Sequence, residues 1–455
     1  MTSPADHPRT ALTGWGRTAP TVATLQRVTT ADQVVEAVRG TEGRRHRGVI
    51  ARGLGRSYGD AAQNAGGRVL DMTGLDRVLG VDSVFRTVDV EAGVSLDTLM
   101  QVLLPFGLWV PVLPGTRQVT VGGAIAADVH GKNHHAAGSF GDWVRSLDLL
   151  TGDGDVRTLT PDSAAFWATV GGMGLTGIVL RATLAVQPTQ TAWFVVDTER
   201  ADNLDDLMAR LSSDDDRYPY SVAWFDALAS GRRLGRAVLT RGRAATLDDL
   251  GPDRVERARA FVAPSFGTVP DHLPPGLLNR WTGRAFNEMW FRKAPRRRAG
   301  ELQDITTFFH PLDVIGEWNR LYGPRGFCQY QFVVPPGAED VFKLAVREIA
   351  ASGQVSSLNV LKRFGPGNAA PLSFPTAGWT LAVDLPVTPG LERLFSRLDA
   401  MVAEAGGRVY LAKDSRLRAD LLRRMYPRLE EFCAVRAELD PHGVFRSDLS
   451  RRLQL

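Results

Sequence analysis

Apolar positions in the first third of the chain alternate between the two periods that mark strands and helices. Thr30-Ala31-Asp32-Gln33 has capping-box spacing, with Thr and Gln three apart ahead of an apolar run. Val34, Val35 and Val38 then form a helical stripe that Gly40 ends. Val49–Ala51 reads as a short buried strand running into a glycine loop, and Val69–Asp71 and Thr87–Val90 read as further strands. Ser95 caps a helix predicted over Ser95–Gln101. This α+β or α/β material extends to about Leu184. From about Thr191 the texture changes, and strand-like Trp193–Val196 and Tyr220–Phe225 alternate with helix-like Leu204–Leu211. Residues 250–300 read as a proline-rich loop holding the triplet Arg296, Arg297 and Arg298. Gln329–Val334 alternates polar and apolar as a half-buried strand does. Thr380–Leu385 is another strand candidate, and Arg408–Ala412 followed by Leu417–Phe445 reads as a strand and then helical material.

The chain has 455 residues, too many for one hydrophobic core, so two or three packed units are expected. Its formal charge of +4 fits an anionic ligand, a membrane surface or an ordinary solvated surface, and gives no reason to expect nucleic acid. Two cysteines, Cys328 and Cys433, leave room for one disulfide but for no disulfide framework or cysteine-rich metal site. The N-terminal MTSPADHPRTALTGWG lacks the apolar core of a secretory signal. The longest apolar stretch, Val102–Pro114, is broken by Pro105, Gly107 and Pro111 and falls short of the ~20 residues of a spanning helix. Any work at a membrane is therefore expected to be peripheral, on either the cytoplasmic or the periplasmic face.

Three glycine-dense segments carry the chemistry. The first, Ala51-Arg52-Gly53-Leu54-Gly55-Arg56-Ser57-Tyr58-Gly59-Asp60, follows a strand. Its glycines let successive backbone N–H groups converge on an anion such as a pyrophosphate. Its GxGxxxG spacing and the weak helix opening after it argue against a Rossmann fingerprint. The second runs from Pro114 to Gly131 through Gly115, Thr116, Thr120, Gly122 and Gly123, and is followed by Lys132, Asn133, His134 and His135. Its histidines, with Asp128 the only carboxylate nearby, are a weak metal signal. The third, Trp167–Ile178, turns on Gly171, Gly172, Gly174 and Gly177. Three such loops suit a large anionic cofactor threaded between two lobes.

GLGRSYGD, PGTRQVTVGGAIAADVHGKNHH and FWATVGGMGLTGI, in that order, resemble the FAD-binding domain of the vanillyl-alcohol-oxidase superfamily. LTGWGRTAP, SVAWFDA, HPLDVIGEWNRLYGP, QYQF, NVLKRFGPGNAAPLSFP and YLAKDSRL narrow the resemblance to the decaprenylphosphoryl-β-D-ribose 2′-oxidase family over nearly the whole chain. The resemblance implies an α+β fold, with a two-lobed FAD domain at residues 1–190 completed by 408–455 and a mixed substrate domain at 191–407. It implies FAD on the Gly53–Gly59 loop, with Gly115, Thr120, Val121, Gly122, Gly123, Ala127, Asp128, Val129, His130, Ile178 and Tyr410 lining the rest. Tyr58 stands where relatives that bind flavin covalently carry histidine, so non-covalent FAD is expected.

Activity by resemblance is oxidation of the 2′-hydroxyl of a lipid-linked ribose phosphate, with a separate NADH-dependent reductase completing an epimerisation. A soluble-polyol oxidase of the alditol or aldonolactone type, and a non-catalytic flavin-binding partner, are the other readings. Lys413, just after an apolar strand, matches the family's active-site lysine, either as a neutral base or as a retained ammonium. Gln329 and Gln331 share one strand face, and the resemblance points to Gln331 as the partner of Lys413. Tyr58 and His130 join the proposed catalytic set, and Lys132, Trp224, Tyr322 and Lys362 the substrate set. Ala382 occupies a strand position where relatives often carry cysteine, so thiol-directed inhibitors are expected to fail. Arg292, Lys293 and Arg296–Arg298, with Phe286, Met289, Trp290 and Phe291, are candidate contacts with a lipid surface.

Overall fold

Strands that are apolar on both sides need cover on both sides, and this decides where the first lobe builds its core. In the computed structural model, which describes residues 7–40, 47–271, 279–356 and 358–455, Thr21–Arg27, Arg68–Asp71 and Val49–Arg52 run parallel. Arg9–Leu12 adds antiparallel at one edge. Val49, Ile50, Val69 and Leu70 are buried. Helix Ala31–Arg39 covers part of them with Val34, Ala37 and Val38, and Phe445 joins the same cluster from the far end of the chain. At the helix start Thr30 Oγ1 accepts from the Gln33 N–H at 3.3 Å. The Gln33 side chain accepts from the N–H of Thr29 at 2.8 Å, so the reciprocal half of the capping box is displaced by one residue.

A second sheet of five antiparallel strands follows, in the order Val78–Asp82, Thr87–Glu91, Ile178–Ala185, Val144–Leu150 and Val156–Leu159. Helix Leu96–Leu103, capped by Ser95 as expected, buries Leu96, Leu99, Met100 and Leu103.

The third sheet has eight strands, in the order Arg297–Asp304, Trp193–Ala201, Ala237–Ala244, Tyr220–Phe225, Asn359–Phe364, Gly378–Pro386, Phe327–Val334 and Arg408–Val409. Helices Glu339–Ala351 and Leu391–Glu404 cover one face: Phe332 packs on Phe342, and the Tyr330 hydroxyl donates to Asp399 at 2.9 Å. After its edge strand the C-terminal segment returns to the first lobe. There Phe445 bridges Val49, and Arg452 pairs with Asp60 at 2.8 Å and Asp414 at 2.9 Å.

The stretch expected to be loop is partly ordered. Arg280–Lys293 is a helix whose first N–H groups are accepted by the Asn279 side chain, and Arg297–Asp304 is an edge strand paired with Trp193–Ala201. Part of the expected loop, residues 272–278, lies outside the described residues. Cys328 and Cys433 are free thiols. No described helix is long and apolar enough to cross a membrane.

Candidate active site

The strand Val49–Arg52 delivers the first glycine loop. Among the described residues, the N–H groups of Gly53, Leu54, Gly55, Arg56 and Ser57 donate to no protein acceptor, whereas that of Tyr58 donates to the Ala412 carbonyl at 2.9 Å. Gly55 has φ +68°, and a Cβ there would lie 2.5 Å from Arg52 Nη2; at Gly53 it would lie 2.2 Å from Thr120 Oγ1. Gly59 serves another purpose, since its Cβ would lie 1.9 Å from the Asp414 carbonyl oxygen. Arg52 and Asp60 are engaged within the protein, with the Thr13 and Ala62 carbonyls and with Arg452. Arg56 stacks over Trp15, 3.8 Å from the ring centroid.

The other two glycine segments differ from expectation. Thr120 caps the helix Val121–Ala126 by accepting from the Gly123 N–H, and the N–H groups of Val121 and Gly122 donate to Val94 and Ala92. In the third segment the Gly171 and Met173 N–H groups donate to the Ile125 and Ala126 carbonyls. These donors are spent on protein partners, so the third segment buttresses the second, whereas the N–H groups of Gly53–Ser57 are unclaimed among the described residues. Ile178 is buried in the cluster beneath the first sheet.

The eight-stranded sheet supplies the rest through its register. Gln329 pairs with Asp384 and Gln331 with Ala382; Val360 pairs with Ala382 and Lys362 with Thr380; Trp224 pairs with Val360. Because side chains alternate along a strand, all of these residues share one face. Gln329 Nε2 donates to Tyr58 Oη at 3.2 Å and to Asp384 Oδ1. Lys413 Nζ lies over the Tyr58 ring, 3.8 Å from its centroid. Asp384 is fully buried, and its Oδ2 has no hydrogen-bond partner among the described residues. Burial pushes the Lys413 ammonium toward its neutral form against the opposing pull of Asp384. Burial likewise pushes the Asp384 carboxyl upward.

Beside this group, His130 Nε2 lies 2.9 Å from Gln331 Nε2, and His130 Nδ1 lies 3.0 Å from Lys362 Nζ. Burial, and then Lys362, hold the imidazole well below its usual pKa, so it is neutral. A neutral imidazole has one N–H and one lone pair. Either an ammonium at Lys362 donates to Nδ1 while Gln331 presents its amide oxygen, or Gln331 donates to Nε2 while Nδ1–H donates to a neutral amine. Burial brings Lys362 and Lys132 each down to about 7.

Of the residues expected from the sequence, Lys413, Tyr58, Gln329, Gln331, His130 and Lys362 therefore meet. Gln331, expected as the partner of Lys413, bonds His130, and Gln329 bonds Tyr58, over whose ring Lys413 lies. Tyr322 stacks on Phe327 at 4.0 Å, and Phe327 packs edge-on against Tyr58. Lys132 donates to the Phe308 carbonyl and lies over the Phe308 ring. Tyr410 donates to the Ala127 carbonyl at 2.8 Å. The carboxylate of Asp128 is occupied by protein donors. His134 packs on Phe364, and His135 Nε2 lies 2.8 Å from the Tyr218 carbonyl oxygen; the described residues hold no metal-ligating group of three. Asp384 went unread in the sequence, although its signal is there: a lone carboxylate at an alternating position of the apolar strand Gly378–Pro386.

A family profile described as FAD binding domain matches residues 22–160, and one described as D-arabinono-1,4-lactone oxidase matches residues 382–453. The chain is 54% identical to decaprenylphosphoryl-beta-D-ribose oxidase of Mycolicibacterium smegmatis over 98% of its own length and 97% of that protein. It is 26% identical to alditol oxidase of a Streptomyces species over 98% of its length and 99% of that protein. It is 24% identical to L-gulono-1,4-lactone dehydrogenase of Mycobacterium tuberculosis over 93% of each. The structure fits the group these matches imply. A row of unclaimed N–H donors on a loop with no room for a Cβ at Gly53 or Gly55 suits the pyrophosphate of FAD.

Proposed function

The chain belongs to the decaprenylphosphoryl-β-D-ribose oxidase family, and from that footing we propose that it oxidises the 2′-hydroxyl of decaprenylphosphoryl-β-D-ribose to the 2-keto sugar. The observation that carries this reading is Lys413 lying over Tyr58 beside the buried Asp384, on a face furnished with two amides. Gly53–Ser57 would hold the pyrophosphate of FAD, with residues 115–130 and Tyr410 along the remainder. Bound FAD supplies the hydride acceptor.

What remains for the chain is to orient the sugar and move one proton. A buried lysine with a lowered pKa is a competent base near neutral pH. Lys413 takes the hydroxyl proton at Nζ, and Asp384 stabilises the ammonium that results. Gln329 ties Asp384 to Tyr58 and so fixes the floor beneath Lys413. Gln331, His130 and Lys362 offer donors and acceptors to the other sugar hydroxyls, and the amines of Lys132 and Lys362 suit the phosphodiester. The test is anaerobic mixing with polyprenylphosphoryl ribose. Loss of the oxidised-flavin absorbance is expected; a flavin reduced by a soluble polyol and left oxidised by the lipid-linked sugar would overturn the assignment.

Three further parts of the reading follow. FAD is held non-covalently, because Tyr58 replaces the histidine used for attachment elsewhere; acid precipitation should leave the flavin in the supernatant. A separate NADH-dependent reductase would consume the 2-keto product, giving net epimerisation to the arabinose donor for the cell wall. The enzyme would meet its lipid at an anionic bilayer surface through the helix Arg280–Lys293. Trp281 is 79% exposed and Met289 57% exposed, with Phe286 and Trp290 also exposed, among Arg280, Arg284, Arg292 and Lys293. Phe291 lies instead 4.7 Å from Arg236 and 5.1 Å from Arg200, which removes it from that surface. Co-sedimentation with anionic liposomes should weaken in a Trp281→Ser, Met289→Ser variant, and unchanged binding would end this part.

A further inference from the structure

Asp128 adopts φ +41°, the left-handed region that side chains other than glycine enter at a cost. It is fully buried. Such a residue persists where its surroundings over-determine it, and the surroundings here are specific. Oδ1 accepts from the Gly141 N–H at 2.9 Å. Oδ2 accepts from Ser139 Oγ at 2.8 Å, from Asn368 Nδ2 at 2.9 Å and from Ser373 Oγ. The backbone on either side is pinned as well: the Ala127 carbonyl accepts from Tyr410, and the Val129 carbonyl from the Phe140 N–H at 2.9 Å. Gly141 must be glycine for this approach, since a Cβ there would lie 3.0 Å from Oδ1 and 2.4 Å from Val170 Cγ1.

The donors come from two places. Ser139 and Gly141 belong to the segment that returns alongside His130, which it bridges at Ser139. Asn368 and Ser373 lie between the strand carrying Lys362 and the strand carrying Asp384. One carboxylate thus ties the turn that ends in His130 to the connection between two strands of the polar face. His130, two residues on, enters the slot between Gln331 and Lys362, packed by Phe364, Phe374 and Tyr410.

We propose that Asp128 is a positioning residue for His130: its carboxylate gathers Ser139, Gly141, Asn368 and Ser373, and the strained turn so fixed aims the imidazole between Gln331 and Lys362. The turnover arm of the test rests on the reading given under Proposed function, whereas the spectroscopic arm does not. In the FAD-loaded enzyme, Asp128→Asn keeps the size of the side chain and replaces acceptors with an amide. It should lower kcat about tenfold with KM within about twofold, and lower it by less than about twofold further in a His130→Gln background, the non-additivity expected of residues acting through one another. An equal loss in both backgrounds overturns the proposal. Ser373→Ala, which removes one donor and leaves the carboxylate, covers the case in which Asp128→Asn does not fold. In holoenzyme carrying 15N-labelled histidine, the His130 ring signals, assigned by their loss in His130→Gln, should shift in Ser373→Ala while the other imidazoles stay in place. Unmoved His130 signals overturn the proposal whatever the substrate proves to be.

Discussion

The loop Gly53–Ser57 and the strand face carrying Gln329, Gln331, Lys362 and Asp384 both gather polar groups, yet they are built in opposite ways. The loop works with backbone N–H groups unclaimed by protein, and at Gly53 and Gly55 it leaves no room for a Cβ. Its donors cannot titrate, and their direction is fixed by neighbouring residues. The face works with side chains drawn from strands far apart in sequence and brought level by register, and burial moves its ionisable groups toward neutral pH. The difference separates two duties. A group that holds a constant anion is best made of peptide dipoles, and a group that must exchange a proton near neutrality is best made of desolvated side chains.

The sharpest way to break this division is Lys413→Met. It should lower kcat by roughly 10²- to 10⁴-fold, the usual contribution of a positioned base, with flavin content and visible spectrum retained. Joint loss of flavin and turnover would place both duties on the lysine. Gly55→Val should do the converse. A side chain in the left-handed region costs about 1–2 kcal/mol, so the FAD Kd should rise about tenfold, with kcat at saturating FAD within about twofold of the parent; flavin titration and turnover read the two effects separately.

Asp384→Asn addresses proton exchange alone. The Asp384 charge favours the ammonium of Lys413 and so holds its pKa up. Without that charge the neutral amine survives to lower pH, and the acid limb of the kcat/KM profile should move down by about one pH unit. A shift to higher pH would assign the limb to another group. Ala382→Cys should act least, with kcat within about twofold because a thiol takes no part in hydride or proton transfer. Intact-mass analysis should find a thiol-directed inhibitor bonded to the variant and absent from the parent.

The same contrast explains what the sequence made readable. The first loop announces itself because glycine spacing acts locally, and its unclaimed N–H groups run from Gly53 to Ser57, with Arg52, Gly59 and Asp60 taken up by protein contacts. Which of the two amides on one face lies opposite Asp384 depends on register, a pairing across more than fifty residues that no local pattern encodes. Asp384 itself looks like an incidental carboxylate in an apolar run until the register sets it against Gln329. The second and third glycine segments resemble the first in composition, but capping by Thr120 takes the Gly123 N–H, and Ile125 and Ala126 take those of Gly171 and Met173. The helix Arg280–Lys293 was hidden by surrounding prolines, although Phe286, Met289, Trp290 and Lys293 keep helical spacing and Asn279 caps its start.

The route of the C-terminal segment has a consequence for synthesis. Lys413 lies between an edge strand of the large sheet at Arg408–Val409 and the ion pairs that Arg452 makes with Asp60 and Asp414. A nascent chain on the ribosome therefore completes neither the glycine-loop lobe nor the surroundings of Lys413 until its last fifty residues have emerged, because Tyr58 and Gly59 rest on Ala412 and Asp414, and Val49 on Phe445.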